Sequence, residues 1–570
     1  MGNRSPYRGL RPLISGTLAL VVSAGAWAAS SGDLVIGISQ FPGNFNPNIN
    51  AMAAKTYILN MARRPITVFD ADWRLVCVMC TELPSKENGR VREETTPDGK
   101  PGLAVTYTLK PDLAWGDGTP LTTEDVVFTW QVGRHPLSGV TVLDFYRRIL
   151  SIDVKDTRTF TLHLDRRTCD FAEVNELEVL PKHLESRAFR EPAEYRHRSL
   201  YEKETTNPGL WNGPYRVAEV VSGSRVTLVP NPRWRGRKPH FQRVTVSTIG
   251  NTAAMTSNLL AGGIHYVAGE IGLTLDQAAA FRKRYPERFR YVFKKSLVYE
   301  HIDLNLDNPI LRDKRVRRAL LMGINRKAIS DKLFDGFQAV AHSLVNPLDT
   351  VYDPNVLKQP YDPAGARRLL EAAGWSPGPD GLRRQADGRP LRLQLMTTAG
   401  NRTRELVEQV LQSQWRELGI DVRIRNEPAR VFFGETVTRR KFPAMAMYAW
   451  LSSPARVPRG QLHSTMIPTP ENGWAGQNYP GFRSALMDRT LDDVETVCEP
   501  AENRHLWHQL QGIYAEELPA LPLYFRAEPH IMPKWLRGVR FTGHQYSSTL
   551  WIEDWRREPA ESASAKGGAP

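Results

Sequence analysis

The sequence predicts an α/β fold with a sheet that is at least partly parallel. In the second half of the chain, strand-like segments at 391–396 and 420–424 flank a helical pattern at 403–418, which Gly419 ends. Alternation of strand, helix and strand is typical of parallel sheets that carry helices on their faces. The 570 residues, of which 41% are apolar, suffice for several domains with buried cores and exclude a disordered or collagen-like chain.

Other segments supply further elements. A helix is predicted after Thr122, because Thr122-Thr123-Glu124-Asp125 is a capping pattern and mostly apolar residues follow it at 126–130. Hydrophobic periodicity predicts two more helices, at 314–324 and 362–373. Short apolar runs bounded by turn residues predict strands at 33–40, 104–109, 160–164, 215–221, 224–229 and 244–249.

The chain is basic, with a formal net charge of +14. The basic residues occur in short and scattered groups, such as 63–64, 147–148, 317–318 and 439–441. A nucleic-acid site would collect them in one tract or patch. We therefore interpret the excess charge as a solvated surface and expect no nucleic-acid partner.

The N-terminus has the pattern of a secretory signal. Three arginines without an acid are followed by an apolar run at 13–22 and by Ala26-Trp27-Ala28, a small-x-small cleavage site. The apolar run is shorter than the ~20 residues that span a bilayer. We expect residues 1–28 to be a signal peptide cleaved after Ala28, and the mature protein to be exported to the periplasm. An uncleaved anchor is the alternative.

Four cysteines are compatible with disulfides in an exported protein. Cys77 and Cys80 have the spacing of a redox or zinc motif, but no second pair of zinc ligands lies nearby. The pair follows a strand-like run at 66–76, whereas a redox motif is expected at a helix start. A structural disulfide is favoured, and with Cys169 and Cys498 three pairings remain open.

Nothing in the sequence indicates an enzyme. The chain has no nucleophile elbow, zinc-protease motif, phosphate loop or dinucleotide fingerprint. His505 and His508 are three residues apart on a predicted helix and could share a metal, but the apolar residues between and beside them favour ordinary packing. We therefore predict no catalytic residue, no cofactor and no metal site.

One segment carries a family resemblance. Residues 107–130 read as a strand, a tight Trp115-Gly-Asp-Gly turn and a capped helix, and they resemble the signature of the family 5 extracellular solute-binding proteins. These are the peptide- and nickel-type receptors of bacterial ATP-binding-cassette importers. Five further segments resemble family motifs in the expected order, and they lie at 212–215, 230–239, 301–326, 361–375 and 521–525.

The resemblance implies a type II two-lobe periplasmic binding protein fold with an extra subdomain in the first lobe. In such a fold the ligand is enclosed when the lobes close about a hinge. The implied division is a first lobe at 33–75, 208–296 and 527–557, an inserted subdomain at 76–207, a second lobe at 297–526 and a disordered tail at 558–570.

The resemblance also implies where ligand binds, between the end of the first strand and the second lobe. An aromatic side chain at such a cleft offers a large, flat contact, although core packing of Trp450 is an equal alternative. The implied ligand-binding residues are Gln40, Phe41, Pro42, Tyr448, Trp450, Ser453, Asn478 and Tyr479.

Ser453 is a departure from the family pattern. Peptide-binding relatives carry an aspartate at this place, three residues after the tryptophan, where it can pair with a peptide's amino terminus. A neutral hydroxyl cannot do so, and the nearby Arg456 and Arg459 would disfavour a cation. From the sequence alone we expect weak binding of peptides with free amino termini, unless a carboxylate from elsewhere replaces the missing one.

These features predict a monomeric, periplasmic substrate-binding component of an importer. It would capture a peptide or peptide-like solute between two lobes and deliver it to an inner-membrane permease. One alternative is a receptor for a non-peptide solute, such as a sugar derivative, an opine or a metal chelate. Another is an exported sensory or chaperone-like protein on the same fold.

Overall fold

The computed structural model describes residues 32–49, 52–474 and 476–558. The predicted signal peptide lies outside these residues, as does the predicted tail except for residue 558. Within the described ranges, no helix combines the length and the apolar character needed to cross a membrane.

The strands of the described chain are short except for two at the centre of the molecule. In chain order they are β1 (Asp33–Ile38), β2 (Thr67–Phe69), β3 (Leu75–Cys77), β4 (Val91–Thr95), β5 (Pro101–Thr108), β6 (Ile149–Val154), β7 (Thr159–Leu164), β8 (Tyr215–Val221), β9 (Arg225–Pro230), β10 (Arg243–Thr248), β11 (Tyr266–Val267), β12 (Arg290–Leu304), β13 (Ala339–Val340), β14 (Ser376–Pro377), β15 (Arg383–Arg384), β16 (Arg392–Met396), β17 (Asp421–Ile424), β18 (Met445–Trp450), β19 (Ala520–Met532), β20 (Leu536–Arg537) and β21 (Arg556–Arg557).

The α-helices range from single turns to 18 residues. They are α1 (Ala53–Ala62), α2 (Thr123–Arg134), α3 (Leu143–Arg147), α4 (Lys182–Glu185), α5 (Tyr195–Arg198), α6 (Leu200–Lys203), α7 (Thr252–Ala261), α8 (Leu275–Arg284), α9 (Lys314–Met322), α10 (Arg326–Phe334), α11 (Pro363–Ala372), α12 (Arg402–Glu417), α13 (Ala429–Val431), α14 (Arg459–Leu462), α15 (Ala485–Thr496) and α16 (Pro500–Glu517).

One large mixed sheet runs through the molecule in the order β17-β16-β18-β12-β19-β11-β1-β10-β9-β8. At one end β16 pairs in parallel with β17, as the alternation around α12 predicts, and it pairs in parallel with β18 as well. At the other end β1 pairs in parallel with β10 and β11. The long strands β12 and β19 pair with each other in antiparallel fashion and join the two ends.

Three hydrophobic cores divide the structure. The first packs β1, α1, β8 to β11 and the C-terminal segment, and we call this part the first lobe. The second packs β16 to β18 against α9, α11 and α12, and we call it the second lobe. The third lies around the separate sheet β4-β5-β7-β6, and we call it the inserted subdomain.

The segment that resembles the family signature forms the inserted subdomain's central contacts. The side chain of Thr122 caps α2, and Asp125 completes a capping box by accepting from the backbone of Thr122. The Asp125 carboxylate also accepts from the buried indole of Trp115 and from the backbone of Lys182, at 3.2 and 2.8 Å. The signature residues therefore hold the scaffold of the inserted subdomain together.

The prediction of one strand-like run at 66–76 is corrected by the structure. The run is a hairpin of β2 and β3, turned by Asp70, whose carboxylate accepts from the backbone of Asp72 and Arg74 at 2.9 and 3.0 Å. Cys77 ends this hairpin and forms a disulfide with Cys80.

The register between β12 and β19 breaks at the middle of the sheet. Regular pairing runs from Arg290↔Met532 to Lys295↔Ala527, and it resumes only at Tyr299↔Phe525. On one side of the break β19 pairs with β11 of the first lobe, and on the other β12 pairs with β18 of the second lobe. A break in the ladder removes strand hydrogen bonds at the place where the chain passes between lobes.

Candidate functional site

The two lobes meet around the segment at 545–548. The backbone N–H of Gln545 donates to the carbonyl of Ser452 in the second lobe, at 2.9 Å. Three residues later, Ser548 donates through its backbone N–H and its hydroxyl to Glu270 Oε1, at 3.0 and 2.8 Å. The neighbouring carbonyl of Ile271 accepts from Ser39, which follows β1, at 2.8 Å from the backbone nitrogen. These contacts bring together the end of β1, Glu270 and the loop after β18.

The first predicted group, Gln40 to Pro42, lies at this place. Gln40 is exposed, Phe41 is half-buried and Pro42 is buried. Phe41 packs edge-on against Phe45, with 6.1 Å between ring centroids. The loop therefore presents one polar and one aromatic side chain beside the contacts between the lobes.

Trp450, at the end of β18, belongs to an aromatic group and is half-buried. Its ring stacks on Tyr479 with 5.8 Å between centroids, and it lies 6.4 Å from His301. Part of the indole is packed and part stays accessible. Trp450 and its partner Tyr479 thus remain predicted ligand contacts.

The structure gives Tyr448 and Asn478 contacts within the protein, and their role in ligand contact stays a prediction. The Tyr448 hydroxyl donates to Asp303, and its buried ring packs edge-on against Trp450. Asn478 is fully buried, and its amide bonds the backbone of His463 and Phe482 at 2.8 to 3.0 Å. With their polar atoms engaged, both side chains position the aromatic group.

Ser453 is fully buried. Its hydroxyl oxygen has no hydrogen-bond partner among the described residues. A buried polar atom without a partner calls for an explanation such as water or a bound ligand. Ser453 therefore stays a candidate for ligand contact.

The two arginines expected to repel a cation are paired with acids. Arg456 lies 3.2 Å from Glu176 of the inserted subdomain. Arg459 lies 2.5 Å from Asp492 and 3.4 Å from Glu495. Their charges are balanced, so these two arginines give no reason to expect that the site repels a cationic ligand.

Sequence reasoning missed a buried acidic group, which we call the Glu270 cluster: Glu270, Glu528 and His530. One ligating atom from each lies within 4.8 Å of the others. Glu270 Oε2, Glu528 Oε2 and His530 Nε2 lack hydrogen-bond partners within the described ranges. Burial, reinforced by the charge on Glu270, raises the pKa of Glu528. Glu270 is the carboxylate held by Ser548 at the meeting of the lobes.

The protonation of His530 limits what this cluster can bind. The backbone N–H of Gly269 donates to His530 Nδ1 at 3.2 Å. With Nδ1 accepting, the ring donates through Nε2, which lies 3.7 Å from Glu528 Oε2. An N–H at this position donates, so the groups of the cluster that can accept hydrogen bonds from a cation are the two carboxylates.

A sequence signal for these residues does exist. Glu528 lies inside the otherwise largely apolar segment 520–532, and a charged residue in a buried strand needs a partner. Glu270 follows the short apolar run at 264–268 in the same way. What the sequence does not contain is the pairing of β11 with β19, at Val267↔Ile531, which brings the two acids together.

A family model and known relatives match the chain. The model of the bacterial extracellular solute-binding proteins, family 5 Middle, matches residues 94–464. The chain belongs to this family. The oligopeptide-binding protein AppA of Bacillus subtilis is 26% identical over 540 residues, which cover 92% of this chain and 91% of AppA.

Solved structures agree with the assignment. The oligopeptide-binding protein from Thermus thermophilus, complexed with a pentapeptide, is 30% identical with a TM-score of 0.83, and the match covers 94% of this chain and 98% of that one. NikZ from Campylobacter jejuni, in complex with Ni(L-His), is 21% identical with a TM-score of 0.78, covering 92% and 100%. The predicted family and two-lobe fold class are confirmed, and the family consists of transporter binding proteins.

Replacement of Trp450 by Ala should weaken ligand binding by about 1–3 kcal/mol, because the accessible part of the indole loses its apolar contact. Isothermal titration with the identified ligand measures the change. Leu486→Ala, which removes an exposed apolar side chain from α15, is the control and should leave affinity unchanged. Unchanged affinity in a folded Trp450→Ala protein would assign the indole to packing alone.

Proposed function

We propose that this family 5 protein captures a peptide or peptide-like solute between its lobes in the periplasm and delivers it to an inner-membrane permease. The observation that carries the proposal is the Glu270 carboxylate oxygen without a hydrogen-bond partner among the described residues. It lies next to the bond between Ser39 and Ile271 at the end of β1, and Ser548, which binds Glu270, is three residues from the Gln545–Ser452 bond between the lobes. Support comes from the Thermus thermophilus and Bacillus subtilis relatives, which are oligopeptide-binding proteins. We propose further that the lobe boundary falls at the register break of β12 and β19, near 296 and 526.

The Glu270 cluster changes the expectation about charge. Ser453 leaves a peptide's ammonium without the family's aspartate, but Glu270 and Glu528 supply two carboxylates at the meeting of the lobes. A primary ammonium can donate to both carboxylates, because their ligating oxygens lie within 4.8 Å of each other. We therefore propose that the ligand carries a cationic amino group, which reverses the preference expected from the sequence.

Mass spectrometry of the ligand released from purified protein tests this function. The expected result is a peptide or peptide-like molecule with a primary amine. A metal chelate, or a sugar derivative without an amine, would contradict it and support the non-peptide alternative.

N-terminal sequencing of the same periplasmic material should begin at Ala29, and a full-length cytoplasmic product would contradict export.

A further inference from the structure

We propose that the disulfide between Cys169 and Cys498 is a clamp that holds the two lobes closed, and that reduction of this bond by a dithiol permits opening. The proposal rests on the proposed function in one respect, since it takes the lobes to open for ligand exchange. It concerns a covalent contact that ligand binding itself does not require.

The bond joins parts of the molecule that are far apart in the chain. Cys169 follows β7 of the inserted subdomain, and Cys498 lies between α15 and α16 of the second lobe. The two residues are 329 positions apart, and their Cα atoms are 5.3 Å apart. Cys77 and Cys80, by contrast, are three positions apart in one loop of the subdomain.

This link is separate from the hinge. The central sheet passes between the lobes through β12 and β19, near their register break. Two adjacent strands allow one body to rotate against the other. A covalent link outside those strands removes that freedom, because opening would have to stretch or break the link.

Polar contacts surround the bond and align the two surfaces. The backbone N–H of Cys169 donates to the carbonyl of Glu495 at 2.8 Å. Arg166 lies 3.5 Å from the Glu495 carboxylate, and Arg456 lies 3.2 Å from Glu176. Each of these ion pairs has a partly exposed member, and such pairs contribute little to stability. They align the surfaces, whereas only the disulfide prevents separation.

The bond is accessible to a reductant. Cys498 is exposed and Cys169 is half-buried, whereas Cys80 in the other disulfide is fully buried. A dithiol attacks one sulfur as its thiolate and forms a mixed disulfide. Its second thiol then displaces the protein thiol. Two electrons and two protons pass to Cys169 and Cys498, and the dithiol leaves as a disulfide.

The test compares the shape of the ligand-stripped, mature protein in its oxidised state with its shape after dithiothreitol. Small-angle X-ray scattering of the oxidised protein should give a compact particle. After treatment the radius of gyration should increase, and alkylation followed by mass spectrometry should label Cys169 and Cys498 ahead of Cys77 and Cys80. The variant Cys169→Ser with Cys498→Ser should be expanded without any reductant.

The matched control is Cys77→Ser with Cys80→Ser, which should stay compact while oxidised and expand with dithiothreitol. Equal radii of gyration for oxidised and reduced wild-type protein would overturn the clamp, even if the double variants fail to fold. A non-reducing peptide map that shows a different disulfide pairing would also overturn the clamp. Absence of a bound peptide would contradict the proposed function and leave the expansion intact, so the two failures are distinguishable.

Discussion

Replacement of Glu300 by Gln is expected to lower the free energy of unfolding by about 3–5 kcal/mol at neutral pH, because it leaves a buried guanidinium without its counter-charge. Glu300 lies on β12 just beyond the register break, and its side chain is 2% exposed. It accepts from Arg404 of α12 at 2.6 and 3.3 Å. Arg526 of β19 lies 3.9 Å away. The carboxylate thus ties both central strands to a helix of the second lobe.

The effect should depend on pH. Burial by itself raises the pKa of Glu300, but the charges of Arg404 and Arg526 outweigh it and hold the pKa below its usual value. A carboxyl whose pKa is lowered on folding contributes stability above the pKa of the unfolded chain and loses it as the pH falls through the folded value. The difference between wild type and Glu300→Gln should therefore shrink as the pH is lowered below about 4.

Urea unfolding of both proteins at pH 7 and pH 3.5 measures this difference. Asp331→Asn is the matched control, because it breaks the exposed pair with Lys327 on α10. That change should lower the free energy of unfolding by less than about 1 kcal/mol. A Glu300→Gln protein as stable as wild type at pH 7 would show that the buried pair contributes nothing.

Local patterns were enough to predict most of the scaffold. The helix after Thr122 begins where the capping residues place it, at Thr123. The helix predicted at 403–418 is Arg402–Glu417, with its strands on either side. Such elements depend on periodicity and caps within one short window. The hairpin of β2 and β3 was missed, because a continuous apolar run hides a tight turn.

Contacts between distant segments could not be predicted in this way. The pairing of Cys169 with Cys498 depends on how the subdomain lies against the second lobe, and the sequence permitted three pairings. Glu270 and Glu528 come together only through strand pairing across the first lobe. The family resemblance predicted ligand contacts at Trp450, at the loop of Gln40 and at Asn478, but it gave no indication that the Asn478 amide bonds the backbone of His463 and Phe482.

The balance of charge at the meeting of the lobes follows from those distant contacts. Arg456 and Arg459 look free in the sequence and are neutralised by acids of the subdomain and of α15. The Glu270 cluster has the opposite character, since no lysine or arginine of the described residues forms an ion pair with its acids, and the basic group nearest to them is His530, 3.9 Å from Glu270 and 3.7 Å from Glu528. A buried acid beside the contact between two lobes favours a ligand that brings a positive charge.

Replacement of Glu270 by Gln is therefore expected to weaken binding of a free-amine peptide by about 2–5 kcal/mol, the usual cost of truncating one member of a buried charge pair. Glutamine keeps a carbonyl oxygen for the two bonds from Ser548, so the fold should persist. The N-acetylated form of the same peptide has no ammonium. The acetylated peptide should bind the wild-type protein weakly, and it should lose little further affinity in the Glu270→Gln protein.

Titration calorimetry of both peptides against both proteins, each also carrying Cys169→Ser and Cys498→Ser so that the lobes can open, completes a double-mutant cycle, which isolates the pairing of ammonium with carboxylate. Glu219→Gln is the matched control, since it removes an exposed first-lobe carboxylate that pairs with Arg225. The Glu219→Gln protein should bind the free and the acetylated peptide with the same affinities as wild type. If free and acetylated peptides bind wild type equally well, Glu270 does not recognise an amine, and the preference expected from Ser453 alone gains support. If Glu270→Gln weakens both peptides alike, the carboxylate shapes the cleft without pairing with the ligand's charge.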